Sequence, residues 1–230
     1  MSLLILDRVI SGSWERPVSL GIQRREVLLL LGRNGAGKTT LLNTIAGLIP
    51  VRSGRLTVCG RDLTAGDERT RIVSGVRIAL EGRQVFRRLS VRKNLLLGAY
   101  PRHGREAEDD LTKIVDLFPI LSTKLEEPAG SLSGGQQTLL SVSRALMGRP
   151  ALLLLDEPTL GLDPQNTNKL VQALNRMRQE FGTAVLVAEQ LGPFTRAFPE
   201  RIGLLIGGEI VFDGSLDEAE QSGQLEQALL

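Results

Sequence analysis

Short apolar runs recur along the chain, separated by stretches in which apolar residues are spaced three or four positions apart. The run at 151–155 is wholly apolar, which is typical of a strand buried on both faces of a parallel sheet. Similar runs lie at 27–31, 76–80 and 183–188. Alternating strands and helices of this kind predict an α/β fold.

The remaining pattern completes the predicted element order. Strands are expected within 3–31, interrupted at 11–13, and at 55–59, 201–206 and 209–212. Helices are expected at 41–48, within 90–121, from about 134 to 147, over 164–181 and in the acidic tail 215–230. The loop 100–104 contains His103, the only histidine, which we expect to be solvated.

The composition limits the possible chemistry. A chain of 230 residues with 42% apolar residues suits one elaborated domain. The only histidine, His103, is far from the other motifs, so without another histidine a Ser-His-Asp site and any multi-histidine zinc site are excluded. One cysteine, Cys59, excludes an internal disulfide, and its apolar neighbours predict that it is buried. The start of the chain has no signal-peptide pattern and no apolar run of about 18 residues occurs, so a cytosolic protein is expected.

The charge is unevenly distributed. The net charge of +2 is the sum of +10 in residues 1–100 and −8 in residues 101–230. An anionic partner for the first half is one explanation, and an arginine-rich surface around an anion-binding lobe is the simpler one. With 3% aromatic residues the chain has few base-stacking platforms, so nucleic acid is not an expected partner.

A glycine-rich segment, residues 32–40, follows the apolar run 27–31 and precedes a helix-forming segment. This context predicts a loop whose N–H groups surround a phosphate chain, whereas the alternative is a tight turn without a ligand. Lys38 supplies a positive charge for phosphates, and the Thr39 hydroxyl is placed to bind Mg²⁺. The complete pattern favours a nucleoside triphosphate site formed by Gly32, Arg33, Asn34, Gly35, Ala36, Gly37, Lys38, Thr39 and Thr40.

Two acids, Asp156 and Glu157, directly follow the apolar run 151–155. The carboxyl ends of parallel strands are where open α/β sheets bind ligands, so these side chains are expected beside the phosphate loop. Asp156 would bind Mg²⁺ together with Thr39, and Glu157 would polarise an attacking water. The alternative is an acidic turn that only ends the strand.

Two further features have more than one interpretation. Residues 132–136, Leu-Ser-Gly-Gly-Gln, begin a predicted helix and form a second possible phosphate cradle, although any capped helix has a similar start. Trp14, the only tryptophan, either stacks on an adenine ring or fills a small β-core.

Together these stretches resemble the ATP-binding subunits of ABC transporters, in the family's order and over nearly the whole chain. The resemblance identifies 32–39 as the Walker A motif, 132–136 as the signature, 152–156 as Walker B, and 160–163 as the D-loop. It implies a P-loop NTPase with a RecA-like core of the ABC ATPase type, an N-terminal antiparallel β subdomain and a helical subdomain. One domain, 1–230, would comprise a core at about 1–85 and 150–230 and a helical part at about 86–149 that carries the signature.

Local strings narrow the resemblance. Residues 81–86, Glu-Gly-Arg-Gln-Val-Phe, with the nearby Leu-Ser-Val and Asn-Leu, are similar to branched-chain amino-acid importers of the LivF type. Gln190, in Val-Ala-Glu-Gln, stands where most relatives have a histidine. Urea and short-chain amide importers are the alternative. Departures from the family include Glu81 in place of its usual glutamine, Arg25 in place of a glycine, and the missing adenine-stacking tyrosine, for which Trp14 is the substitute.

The resemblance also implies the roles of the residues. Lys38, Glu157 and Gln190 would be catalytic, and Thr39, Asp156 and Glu81 would be near or bound to Mg²⁺. ATP would contact residues 32–40 and Glu81 of one subunit. From the second subunit, packed head to tail, it would contact Leu132, Ser133, Gly134, Gly135 and Gln136. Asp163 would lie at the seam, and Trp14 beside the adenine.

The implied partners are integral membrane permease subunits, a second ABC ATPase and, indirectly, a periplasmic or extracellular substrate-binding protein. The protein would be cytoplasmic and peripheral on the inner face of the cell membrane. A non-transport ABC ATPase is the competing function, but the usual coiled-coil insertion or tandem cassette is missing. A small-molecule kinase does not account for residues 132–136.

Overall fold

The computed structural model describes residues 2–82, 84–198 and 200–229, so Arg83 of the 81–86 string lies outside the described residues. The strands are β1 (Ser2–Ser11), β2 (Val18–Gln23), β3 (Val27–Leu31), β4 (Val51–Val58), β5 (Arg61–Asp62), β6 (Val76–Ala79), β7 (Leu152–Asp156), β8 (Ala184–Glu189), β9 (Ile202–Ile206) and β10 (Glu209–Gly214). The helices are α1 (Lys38–Ala46), α2 (Glu68–Val73), α3 (Val91–Gly98), α4 (Arg105–Leu117), α5 (Pro119–Ser122), α6 (Gly134–Leu146), α7 (Pro164–Phe181), α8 (Pro193–Arg196), α9 (Leu216–Gln221) and α10 (Gln224–Leu229).

A six-stranded sheet forms the centre, in the order β10-β9-β3-β8-β7-β6. Its strands run parallel from β9 to β6, and β10 pairs antiparallel with β9 through a glycine turn. Every residue of β3, β7 and β8 is buried, because helices and the second sheet cover both faces. The predicted α/β fold is therefore confirmed, and the carboxyl ends of β3, β8 and β7 lie side by side.

The second sheet is antiparallel, in the order β2-β1-β4-β5, and packs over α1. The turn from β2 to β3 contains Arg25, whose φ is +63°. This left-handed conformation costs about 1–2 kcal/mol for a residue with a Cβ. A glycine, which the resemblance implies at this position, would adopt the conformation without that cost.

Helices α3 to α6 follow one another between β6 and β7 and share one core with the central sheet. Gly98, in the last turn of α3, allows close packing against α6, because a Cβ there would lie 1.9 Å from the Arg144 carbonyl oxygen. Asp110 of α4 is 2% exposed and paired with Arg102 and Arg149. The boundaries of the helical part at 86 and 149 stay a prediction.

Two expectations need correction or addition. Cys59 is exposed, since it lies in the turn after β4 with φ of +52° rather than in the strand. Helix α2, which Asp67 caps by accepting a hydrogen bond from the Thr70 N–H, is missing from the predicted elements. Within the described residues, no helix combines the length and apolar character needed to cross a bilayer.

Candidate functional site

The phosphate loop connects β3 to α1, and its glycines have distinct tasks. A Cβ on Gly32 would lie 2.4 Å from the Leu205 carbonyl oxygen, so only glycine lets the loop pass β9 at this distance. Gly35 has φ of +82°, and a Cβ there would meet nothing within 4 Å, so its backbone faces open space. Gly37, with φ of +105°, caps α1. The loop thus presents backbone rather than side chains to a ligand.

The N-terminus of α1 is suited to bind an anion. No side chain caps it and its first turn contains no acid, so its N–H groups keep their bonding capacity. Lys38 is 5% exposed, and its Nζ donates to the carbonyl oxygens of Gly32, at 2.7 Å, and Arg33, at 3.2 Å. These bonds hold the ammonium inside the curve of the loop, where phosphates would lie.

An open cleft of about 280 Å³ lies above this loop. It joins residues that are far apart in sequence, namely Arg33, Asn34, Gly35, Gly37, Lys38, Thr39, Thr40, Glu81 and Glu157. The predicted grouping of the phosphate loop with Glu81 and Glu157 is thus present in the structure. No residue of the signature segment 132–136 lines this cleft.

Asp156, at the end of β7, is 3% exposed, and neither of its carboxylate oxygens has a hydrogen-bond partner among the described residues. Burial raises its pKa, and the charges of Glu157 and Glu81 add to this, whereas Thr39 and Lys38 oppose it. A buried carboxylate without partners is costly unless a cation neutralises it. Together with the Thr39 hydroxyl, it is a suitable oxygen donor for Mg²⁺.

Among the described residues no three His, Cys, Asp or Glu side chains form a metal-binding cluster. Mg²⁺ does not require such a cluster, because proteins usually hold it through one or two carboxylates, with phosphates and waters completing the shell. Glu81 is exposed and lines the same cleft, so its proposed contact with Mg²⁺ depends on a bound nucleotide.

Glu157 and Gln190 meet at the edge of the cleft. Glu157 has φ of +46°, and its N–H donates to the Ala188 carbonyl oxygen at 2.9 Å, which turns the chain away from β7. The Gln190 Nε2 lies 3.4 Å from both Glu157 Oε1 and Asn34 Oδ1. The side-chain amide of Gln190 therefore links Glu157 with the phosphate loop.

Glu189 is a polar residue of this region to which the sequence interpretation assigned no role. It is 6% exposed and accepts hydrogen bonds from Thr159 and from the Gln190 N–H. Burial raises its pKa, while these hydrogen bonds lower it and the charge of Glu157 raises it further. An acid that ends an otherwise apolar strand, Ala184–Glu189, was the available signal.

Trp14 is buried, with 6% exposure, in the core between the second sheet and α1. A Cβ on Gly37 would lie 2.7 Å from its Nε1, and one on Gly208 would lie 2.9 Å from its Cδ1. The Gly208 N–H also donates to the Ala36 carbonyl oxygen at 2.9 Å. Of its two predicted roles, burial favours core filling, because little of the ring is left for an adenine to stack on.

The signature segment begins α6. Ser133 and Gln136 form a capping box, in which the Ser133 N–H donates to Gln136 Oε1 at 3.1 Å and the Gln136 N–H donates to Ser133 Oγ at 3.4 Å. Leu132 is buried, and Gly135 faces the D-loop, since a Cβ on it would lie 3.3 Å from Leu162 Cδ2. The segment begins a helix, and the N-terminus of a helix favours an anion. The segment does not line the cleft of its own chain.

Asp163 caps α7, and its Oδ1 accepts from the Asn166 N–H at 2.9 Å. This hydrogen bond lowers its pKa, helped by the Asn166 side chain. The geometry assigns Asp163 a capping role within the chain. Its predicted place at a dimer seam stays a prediction.

Residues 16–160 match the family model described as ABC transporter. The chain is 37% identical over 194 residues to the high-affinity branched-chain amino acid transport ATP-binding protein BraG of Pseudomonas aeruginosa, covering 84% of this chain and 83% of the relative. It is 30% identical over 210 residues to the probable branched-chain amino acid transport ATP-binding protein LivF of Archaeoglobus fulgidus, covering 91% and 89%. The phosphonates import ATP-binding protein PhnC of Hyphomonas neptunium is 32% identical over 225 residues, covering 92% and 84%.

Solved structures share the fold over almost the full chain. An ATP-binding cassette of an ABC transporter superimposes with a TM-score of 0.88 at 23% identity, covering 99% of this chain and 98% of the other. A dimeric cassette bound to ADP and Pi superimposes with a TM-score of 0.81 at 23% identity, covering 93% and 98%.

Proposed function

The chain belongs to the ABC transporter family as an ATP-hydrolysing, ATP-binding subunit, and we propose that it energises an importer of branched-chain amino acids. The 37% identity to BraG supports this substrate class. The strings within residues 81–95 and Gln190, which resemble that importer type, point to the same substrate class. The relatives that import phosphonates make that class the competing substrate.

The cleft above the phosphate loop suggests how the chain acts on ATP. The loop amides and Lys38 would stabilise the charge that develops on the γ-phosphate. Glu157 would polarise the attacking water, and Gln190 would donate a hydrogen bond to the γ-phosphate or the water from its side-chain amide. An amide cannot carry a proton at neutral pH, so proton transfer in this site would depend on Glu157 rather than on residue 190.

Thr39 and Asp156 would hold Mg²⁺, since the two unpartnered Asp156 oxygens point to a cation as their missing partner. When bound, Mg²⁺ neutralises charge on the phosphate oxygens. Glu81, which follows the neighbouring strand β6 and lines the same cleft, would lie near this ion at a position where the resemblance implies a neutral glutamine.

The subunits of this family work with membrane permeases and form dimers. We propose that the signature segment completes the ATP site of a second subunit, because it begins a helix with Gly134 and Gly135, whose N–H groups lie outside the capping box, but does not line its own chain's cleft. The D-loop beside Gly135 would lie at the seam between the two subunits. The second subunit would be another copy or a related ATPase, on the cytoplasmic face of the membrane.

Uptake measurements test the substrate class. The gene would be deleted in its host, and uptake of labelled leucine, isoleucine and valine compared with uptake of a phosphonate and of urea. We expect the deletion to abolish branched-chain amino-acid uptake alone. The natural gene should restore this uptake, and the Lys38→Ala gene should not. Loss of phosphonate or urea uptake instead would assign that class, and no loss of any uptake would favour a non-transport ATPase.

A further inference from the structure

Glu189 is a buried acid without a cationic partner among the ion pairs of the described residues. It is 6% exposed at the end of β8, between the strands that lead to the phosphate loop and to Asp156. Burying a carboxylate is unfavourable unless hydrogen bonds replace its hydration. Its position is therefore best explained by the groups that its two oxygens bind.

One oxygen holds the turn after Glu157. Glu189 Oε1 accepts from the Thr159 hydroxyl at 2.6 Å and from the Thr159 N–H at 3.1 Å. Thr159 lies inside a tight turn, in which the Leu160 N–H donates to the Glu157 carbonyl oxygen at 3.1 Å and the Leu162 N–H donates to the Thr159 carbonyl oxygen at 2.9 Å. Glu189 thus anchors both Glu157 and the start of the D-loop.

The other oxygen holds Gln190. Glu189 Oε2 accepts from the Gln190 N–H at 3.1 Å, and the Gln190 carbonyl oxygen accepts from the buried Thr195 hydroxyl at 3.1 Å. With its backbone fixed on both sides, Gln190 directs its Nε2 between Asn34 and Glu157. Small displacements of such groups lower the rate of a reaction strongly.

We propose that Glu189 is a positioning residue for ATP hydrolysis, which holds Gln190 and the Glu157 turn, with its D-loop, in one fixed arrangement. This rests on the roles at the γ-phosphate proposed above for Glu157 and Gln190. A D-loop that moves against a second subunit would then displace Gln190 as well, through the carboxylate they share.

The chemistry requires a carboxylate and not an amide. All three groups that Glu189 binds are donors, and a carboxylate offers an acceptor on each oxygen. Glutamine has the same shape, but its side chain has one acceptor oxygen and one NH₂ donor. Its NH₂ would therefore face an N–H donor, either that of Thr159 or that of Gln190. Glu189→Gln therefore breaks one side of the link without creating a cavity.

The test is ATP hydrolysis by the purified full chain carrying Glu189→Gln, Gln190→Ala or both. We expect Glu189→Gln to lower kcat about tenfold, the effect of about one lost hydrogen bond, with KM for ATP within about twofold. Because Glu189 acts through Gln190 and the Glu157 turn, the double variant should lose less than the product of the single losses.

A second series does not depend on the charge of residue 189. Thr159→Val removes the hydroxyl at 2.6 Å and should lower kcat with little change in KM, whereas Thr159→Ser keeps the hydroxyl and should restore kcat. Thr183→Val is the matched control. It removes a buried hydroxyl that binds the Pro150 carbonyl oxygen at the opposite end of β8, and it should leave kcat unchanged.

Wild-type kcat in Glu189→Gln, or single losses that multiply in the double variant, would overturn the proposal. An unchanged kcat in Gln190→Ala would instead refute the proposed role of Gln190 and remove the basis for Glu189. Because hydrolysis is measured on the isolated subunit, neither result bears on the substrate class, which the uptake experiment decides.

Discussion

At the scale of the residue, Asp156 places stability and function in opposition. Its buried oxygens have no hydrogen-bond partner among the described residues, so in the ligand-free protein the nearby Thr39 and Lys38 only partly offset the cost of burying this carboxylate. Burial raises its pKa in the folded state. The folded state therefore favours the protonated form, and its stability falls as the pH rises through the folded-state pKa.

Asp156→Asn should stabilise the ligand-free protein at neutral pH, by about 2–4 °C in Tm for each kcal/mol recovered. The gain should shrink as the pH falls towards about 4, where aspartate is protonated in the unfolded chain too. Thermal unfolding in EDTA measures this, and the same variant should lose Mg²⁺-dependent hydrolysis.

Asp163→Asn is the control for that substitution. Asp163 is an exposed N-cap whose pKa is lowered, so its charge stabilises the fold, and asparagine should give no gain. A lower Tm of Asp156→Asn at neutral pH would contradict the assigned cost of the buried charge.

Lys38→Ala should reduce ATP hydrolysis by at least about a hundredfold, because it removes the ammonium group that the loop carbonyls of Gly32 and Arg33 hold against the proposed phosphate position. Phosphate release at saturating ATP is the measurement. Lys169→Ala, an exposed lysine of α7, is the matched control and should hydrolyse ATP normally. Turnover of Lys38→Ala near that of this control would refute the phosphate-loop assignment.

Some residues of the candidate site could be predicted from the sequence and others could not. Residues 32–40, Asp156 and Glu157 could be predicted because their chemistry follows from residue type and from strand ends. Glu189 and Gly208 could not, since their roles depend on which strands become neighbours. The prediction that Cys59 is buried was wrong. Strand β4 ends one residue earlier, and Cys59 lies in the turn that follows, in a left-handed backbone conformation.

At the scale of the element, packing between α3 and α6 depends on Gly98. Gly98→Ala should destabilise the protein by about 1–3 kcal/mol, because its Cβ would overlap the Arg144 carbonyl oxygen and force the helices apart. Urea unfolding measures the change. Gly21→Ala, in β2 with its nearest atom at 3.8 Å, is the control and should be neutral or slightly stabilising.

An equal stability of the two glycine variants would show that α3 can shift without cost.

Most elements were predictable because strand and helix periods are strong in this chain, and α7 has the predicted bounds. Helix α2 was not predicted because it is short, about one and a half turns, and mostly polar. It depends on its Asp67 cap and on packing against β6 rather than on an apolar stripe.

At the scale of the whole molecule, hydrolysis should require two chains. Glu157→Gln should bind ATP and accumulate as a dimer, since it removes the carboxylate that would activate water but leaves the cleft and the signature segment intact. Light scattering should give about twice the monomer mass with ATP and the monomer mass with ADP.

Adding Ser133→Arg to Glu157→Gln provides the control. Ser133 lies outside the cleft of its own chain, so the doubly substituted protein should bind ATP normally and remain a monomer. A Glu157→Gln protein that stays monomeric at saturating ATP would contradict a composite site built from two copies of this chain.

The packing of Trp14 against the phosphate loop has a spectroscopic consequence. The chain has one tryptophan, and its indole lies between Gly37 of the loop and Gly208 of the β9–β10 turn. Its fluorescence therefore originates from a single buried location beside Gly37, which lines the cleft. Any rearrangement of the loop on binding ATP would change the emission directly, so the natural protein carries its own optical probe of occupancy without a label or a substitution.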